Sequence, residues 1–159
     1  MQSTATSRYD VSLDYITPRG KWYLNSWKGD PNKSYGILYN IGIHLFDVLN
    51  FLFGNVTDSD LFYETQTKAA GVLEFESATI KWQLSIESED LPSSQSLTRQ
   101  SLRQMTVNGK VIEFSKGFTD LHTHSYQEIL TGFGFSLAEA RKAIETISKI
   151  RSSSSTRAH

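Results

Sequence analysis

Between Ala78 and Ile86 the chain alternates without a break. Ala78, Ile80, Trp82, Leu84 and Ile86 are apolar, and Thr79, Lys81, Gln83 and Ser85 between them are polar. Successive side chains on a strand point to opposite faces, so this segment must pack one face and leave the other wet. Tyr9 to Tyr15 repeats the pattern, with Tyr9, Val11, Leu13 and Tyr15 on one side and Asp10, Ser12 and Asp14 on the other. Val72 to Phe75 reads as a further strand. Asn108-Gly109, between Leu102–Val107 and Lys110–Phe114, predicts a hairpin with a type I′ turn, because both central residues of that turn need positive φ. Thr17-Pro18-Arg19-Gly20 stops the first strand, and Trp22 to Trp27 reads as a short return strand before the basic loop Lys28-Gly29-Asp30-Pro31-Asn32-Lys33.

Helical spacing frames these strands. Ile37, Ile41, Leu45, Val48 and Leu52 recur at steps of three and four, which predicts a helix over residues 36–53 with one buried stripe and Gly54 as its stop. A short helix is expected around Ser125 to Leu130. Ser136-Leu137-Ala138-Glu139 is a capping box that opens a last helix, with Leu137, Ala140, Ile144 and Ile147 inward and an end near Ile150. Residues 91–94 read as a loop. Helices flanking a block of hairpins imply an α+β domain, one open and mainly antiparallel sheet with helices on one face. The expected organisation is an N-terminal tail (1–8), one domain (9–151) and a C-terminal tail (152–159).

Composition excludes several classes of partner. With 16 basic and 17 acidic side chains the formal charge is -1, so no global field recruits nucleic acid or an anionic membrane. There is no cysteine, hence no disulfide and no thiolate metal site. The apolar run 41–53 is interrupted by His44, Asp47 and Asn50 and is too short for a membrane span, and residues 1–8 lack the core of a signal peptide. The expectation is a cytoplasmic protein. Neither G-x-G-x-x-G nor G-x-x-x-x-G-K-[ST] occurs, so the usual glycine cradles for dinucleotides and triphosphates are missing.

On the long helix, Asn40, His44 and Asp47 fall at i, i+4 and i+7, nearly on one face. A histidine there can move a proton near neutral pH, and an aspartate one turn away can orient its ring. The spacing alone fits better a histidine satisfied by a cap or core hydrogen bond. His122 and His124, with Asp120 nearby, are a weak metal signal without further spaced ligands, and no metal is expected.

The string Arg19-Gly20-Lys21-Trp22-Tyr23, Ser26-Trp27-Lys28-Gly29-Asp30, Lys33-Ser34-Tyr35-Gly36 and Asn40-Ile41-Gly42-Ile43-His44-Leu45-Phe46-Asp47 resembles the C-terminal domain of the glucose-fructose oxidoreductase/inositol dehydrogenase (Gfo/Idh/MocA) family. Within it, the chain looks closest to the UDP-N-acetylglucosaminuronate 3-dehydrogenases of lipopolysaccharide and O-antigen synthesis. The likeness runs from Tyr9 to Arg151 and includes Gly117-Phe118-Thr119-Asp120-Leu121-His122-Thr123 and Tyr126. It implies a dihydrodipicolinate reductase-like sheet domain that completes a sugar site and forms homo-oligomers through its sheet. NAD would be held by an N-terminal Rossmann domain that this chain does not contain, and the family's Glu-Lys-Pro lysine, which belongs to that domain, is absent. The family's G-x-H-x-x-D motif falls on Gly42, His44 and Asp47, which makes His44 the expected catalytic base and Asp47 its orienting partner.

Two positions depart from the family pattern. Asn40 stands where many members carry aspartate, and an amide cannot stabilise imidazolium as a carboxylate does. Tyr35 stands where a Ser-Gly-Gly turn is usual. For a UDP-sugar substrate, Arg19 is the first expected anion contact and Lys33 the second, with Ser34, Asn40, His122 and Tyr126 as further substrate contacts. Lys21 and Lys28 read more readily as solvated, and Trp22 and Trp27 as core rather than stacking residues. Packing remains an equal alternative for His122 and Tyr126. A different class of function also fits: a standalone oligomerisation or sugar-binding module without catalysis.

Overall fold

The computed structural model describes residues 8–93, 100–115, 121–134 and 136–155. Strands β1 (Tyr9–Ile16), β2 (Val56–Glu64), β3 (Lys68–Phe75), β4 (Ala78–Ser85), β5 (Leu102–Val107) and β6 (Lys110–Glu113) form one sheet in the order β2-β3-β4-β1-β5-β6. The pairing of β1 with β4 is parallel, and the other four pairings are antiparallel. The helices are α1 (Lys21–Asn25), α2 (Pro31–Ser34), α3 (Ile43–Phe53), α4 (Leu121–Leu130) and α5 (Leu137–Ser155). The open, mainly antiparallel α+β sheet read from the sequence is what the chain forms.

Register converts the alternation into one apolar face. Val11 lies opposite Ile80 and Val107, Leu13 opposite Trp82 and Met105, and Leu73 opposite Ile80. These residues, with Val107 packed partly buried at the margin, share a core with Leu45, Phe46 and Leu49 of α3 and Ile147 and Ile150 of α5. Fully burying one such side chain is worth about 1.5–3 kcal/mol, so this layer is the main stabilising element. The opposite face carries Ser12, Asp14, Thr79, Lys81, Gln83, Gln104 and Thr106 and is polar across β4, β1 and β5. An apolar outer face, which would favour association, is therefore not present there. Burial raises the Asp14 carboxyl above its ordinary 3.8, against a hydrogen bond from Gln83 that lowers it.

Several expectations need correction. Trp22–Trp27 is not a return strand: α1 and a 3₁₀ turn at Trp27–Gly29 occupy it, closed by Ser26, whose hydroxyl accepts from the Lys28 amide. Strand β2 left no alternation to read, since Thr57-Asp58-Ser59-Asp60 is polar throughout and its register shifts twice against β3. Tyr9 is 46% exposed at the start of its strand. Helix α5 buries Ala143, Thr146, Ile147 and Ile150 rather than Leu137, Ala140 and Ile144, and it continues to Ser155. Its phase is set by α3: the Asn50 amide donates to the Thr146 hydroxyl at 3.0 Å, and that hydroxyl donates back to Oδ1 at 3.2 Å. The Asn108-Gly109 turn has φ of 47° and 82°, as a type I′ turn requires.

Gly71 and Gly109 are needed for different reasons. A Cβ on Gly71 would run into the Asp60 carbonyl oxygen of β2 and lie 2.9 Å from the Trp82 ring, whereas one on Gly109 meets nothing within 4 Å and strains only the backbone. Gly109→Ala should cost about 1–2 kcal/mol, the left-handed penalty. Gly71→Ala should cost about 3 kcal/mol or more, since strand and ring must both move. Urea denaturation midpoints test the order, and the reverse order would refute this account of the two sites.

Candidate functional site

The candidate site is built on the segment that enters α3. Residues Leu38–Gly42 form a π-helical turn, which holds an extra residue per turn and rotates the phase of the helix beyond it. The buried face therefore runs Ile37/Leu38, Ile41/Gly42, Leu45/Phe46 and Leu49/Asn50 rather than through Val48 and Leu52. Gly42 approaches the core so closely that a Cβ would stand 2.9 Å from the Phe46 ring and 3.2 Å from Leu84. Gly54 ends the helix at φ 87°.

With that face turned inward, His44 and Asp47 both point outward and are exposed. Among the described residues, no hydrogen bond or ion pair engages either of them. The expected orienting contact from Asp47 to His44 is thus not seen, and both side chains face outward. Asn40 is half-buried, and its amide nitrogen donates to the Lys28 carbonyl at 3.1 Å. Its oxygen remains for a ligand.

The Lys28 carbonyl belongs to a tightly tied loop. The Gly29 amide donates to Ser26, the Asp30 amide to Trp27, and Gln66 Nε2 donates to the Gly29 carbonyl at 3.0 Å. A Cβ on Gly29 would sit 2.5 Å from the Leu24 backbone, so no other residue fits there. Contrary to the expectation of core positions, Trp22 and Trp27 are each 58% exposed on this loop. The reason is that α1 buries Tyr23 instead. Lys28 Nζ stands 5.9 Å from each indole.

The expected anion contacts are dispersed. Arg19 lines a cavity of about 570 Å³ together with Lys21, Thr67, Ile86, Glu87 and Glu89. Burial raises the Tyr23 phenol above its ordinary 10, with Arg19 acting the other way. No hydrogen bond among the described residues engages that hydroxyl. Lys33 is exposed and pairs with Asp30 at 3.4 Å. Ser34, expected as a substrate contact, is instead buried and shapes the loop: its hydroxyl donates to the Asp30 carbonyl and accepts from the Gly36 amide. Tyr35 takes the left-handed conformation at φ 59°, the geometry a glycine would supply without strain. Its carbonyl accepts from Arg151 at 2.6 Å, and its ring meets Tyr39 at 5.9 Å. Arg151 also pairs with Glu64 at 2.6 Å and lies over the Tyr39 ring. Sequence reading missed this latch, whose members lie far apart in the chain.

Tyr126 is 67% exposed on α4 and has no hydrogen-bond or ring partner among the described residues. The His122 side chain, Asp120 and residues 117–119 lie outside the described residues. No group of three or more metal-binding side chains occurs among the described residues. Within the same set, no helix is long and apolar enough to cross a membrane.

One ion-pair network braces the wall of the Arg19 cavity. Lys68 Nζ meets Glu87 at 2.6 Å and Asp90 at 2.9 Å, and Asp90 also accepts from Ser85. Lys68 and Thr67 hold Glu87 below its ordinary 4.5. Burial pushes Asp90 upward, but bonds from Ser85 and Lys68 outweigh it and leave it below 3.8. Depressed carboxylates stabilise the fold above their unfolded pKa, and that contribution fades as pH falls through the folded values. Lys68→Met should therefore lower stability at neutral pH, with the gap to the native chain closing below about pH 4. Thermal melts across pH check this; a gap independent of pH would discard the network's role.

The comparisons with known proteins match this architecture. Residues 8–85 fit the oxidoreductase family's C-terminal alpha/beta domain. The WlbA (WbpB) dehydrogenase from Thermus thermophilus, solved in complex with NAD and α-ketoglutarate, is 48% identical over 87% of this chain with a TM-score of 0.79. The same enzyme solved with NAD and UDP-GlcNAcA is 45% identical over 88% of this chain with a TM-score of 0.80. The WlbA dehydrogenase from Bordetella pertussis, at 15% identity and a TM-score of 0.71, shares the fold. The chain spans 45% of the length of the two Thermus structures. Fold and matched segment together define an oxidoreductase C-terminal domain. The chain belongs to the Gfo/Idh/MocA family.

Proposed function

We propose that this chain is the substrate-facing domain of a cytoplasmic, NAD-dependent dehydrogenase that oxidises a UDP-N-acetylhexosaminuronate in surface-polysaccharide synthesis. One observation carries the reading: the 45% identity over 88% of the chain to a dehydrogenase solved with NAD and UDP-GlcNAcA. The exposure of His44 one helical turn after Asn40, whose amide oxygen has no partner among the described residues, supports it.

The chain does not fit the dinucleotide itself. Its passage from β1 to α1 is Thr17-Pro18-Arg19-Gly20, with one glycine and a proline where a cradle of backbone N–H groups would be required. Holding NAD is therefore assigned to a separate N-terminal Rossmann domain. Oxidising a secondary alcohol removes the hydroxyl proton along with the hydride on carbon, and His44 is the group in this chain placed to take that proton. Asn40 Oδ1 accepts from a sugar hydroxyl while its amide stays anchored to Lys28. Arg19 and Lys33 supply positive charge for the carboxylate or diphosphate. Tyr126, exposed on α4, is a further candidate contact for the sugar.

In a protein carrying both domains, His44→Asn should lower turnover by about 10²–10⁴-fold while KM for the sugar nucleotide changes little. Steady-state kinetics decide this, and unchanged turnover removes the base role. We also propose a homo-oligomer formed across the uncovered sheet face. Its polar lining should make pairing sensitive to salt, and a strict monomer in sedimentation at high concentration and low salt would sink the idea.

A further inference from the structure

We infer that Trp22, Trp27 and Lys28 form the nucleotide end of the substrate site, a stacking platform for the uracil ring with a cation for the adjoining diphosphate. The inference rests on the UDP-sugar reading above and assigns residues that reading leaves without a role.

Two indoles, each 58% exposed and separated by four residues, are left uncovered on the loop whose Lys28 carbonyl accepts from Asn40. The backbone that carries them is tied down. Gly29 admits no side chain, and the backbone of residues 26–30 is bonded within itself. Ser26 receives the Lys28 amide, and Gln66 pins the Gly29 carbonyl from the β2–β3 turn. Trp22 rests edge-on against the buried Tyr23 ring at 5.9 Å, and a Cβ at Gly20 would come within 3.0 Å of its indole. A backbone fixed before the ligand arrives lowers the ordering cost of binding.

Lys28 decides the chemistry of the ligand. Its ammonium lies within cation–π range of both rings and makes no ion pair among the described residues. A purely apolar partner would have to bury that charge, whereas a ligand joining a flat π-system to an anion satisfies rings and ammonium together. A nucleoside diphosphate has that form. Placement agrees. The Asn40 amide is bonded to the Lys28 carbonyl, and Asn40 lies one helical turn before His44. With the sugar at His44, the diphosphate and base extend past Asn40 onto Lys28 and the indoles.

UDP titrated into the chain tests this by tryptophan emission. The remaining tryptophan, Trp82, is only 2% exposed and supplies a constant background. UDP should quench saturably, and Trp22→Ala and Trp27→Ala should each weaken its binding roughly tenfold, the scale of one stacked base. Lys28→Met should weaken UDP while leaving uridine affinity within about twofold, which separates the cation from the rings. Circular dichroism confirms that each variant is folded, and the comparison of UDP with uridine on the native chain needs no variant. Absence of quenching by UDP overturns the proposal. So does competition by glucuronate as effective as that by UDP, or quenching by NAD with UDP silent, which would give this face to the cofactor. UDP binding requires no turnover, so failure here and failure of the dehydrogenase reading register separately.

Discussion

The structure depends on one close approach. Phe46 stands edge-on to Trp82, with ring centroids 5.3 Å apart and planes at 88°, and Gly42 lets the helix backbone settle beside that pair against Leu84. Aromatic rings favour this tilted geometry, and a side chain at position 42 would hold α3 away from the sheet. The π-helical turn before α3 makes the approach possible by adding a residue, so that Gly42, Phe46 and Leu49 face inward together. The outward direction of His44 and Asp47 is the consequence. Their chemistry is exposed because their neighbours are buried.

From that seam the rest of the site is held mainly by side-chain bonds to backbone carbonyls, with one ion pair at its far end. Asn40 reaches the loop at Lys28, Gln66 reaches it at Gly29, and Ser34 closes the turn leading back into the helix. Arg151 completes the frame from the far end of the chain, joining α5 to Glu64 and to the Tyr35 carbonyl. A tyrosine in a left-handed turn carries a strain of about 1–2 kcal/mol. The Arg151 bond and the Tyr39 ring are the contacts that offset it. The result is a loop and helix entrance tied together at several points, with His44 and Asp47 facing outward.

Much of this was legible in the amino-acid order. The alternation in β1 and β4, the Asn108-Gly109 turn and the Gly54 stop all encode local backbone preference, and each element formed where those residues stand. The polar strand β2 was not legible, because an edge strand with two register shifts has no period to read. Trp22 and Trp27 were misjudged for a related reason: hydrophobicity says that a side chain gains from being covered, and it does not say what covers it.

The sequence by itself determined the class of fold and the helix that carries His44, since strand alternation and turn chemistry act over a few neighbouring residues. Only the tertiary structure decided the phase of α3 and α5, the burial of Ser34, the exposure of the indoles and the meeting of Arg151 with Glu64. A stripe spaced by three or four residues leaves the rotation of a helix open over a wide arc. Contacts between distant segments select one rotation: Phe46 on Trp82 for α3, and Asn50 with Thr146 for α5. Which side chains remain for chemistry is set by that selection, through packing between residues that the linear order keeps far apart.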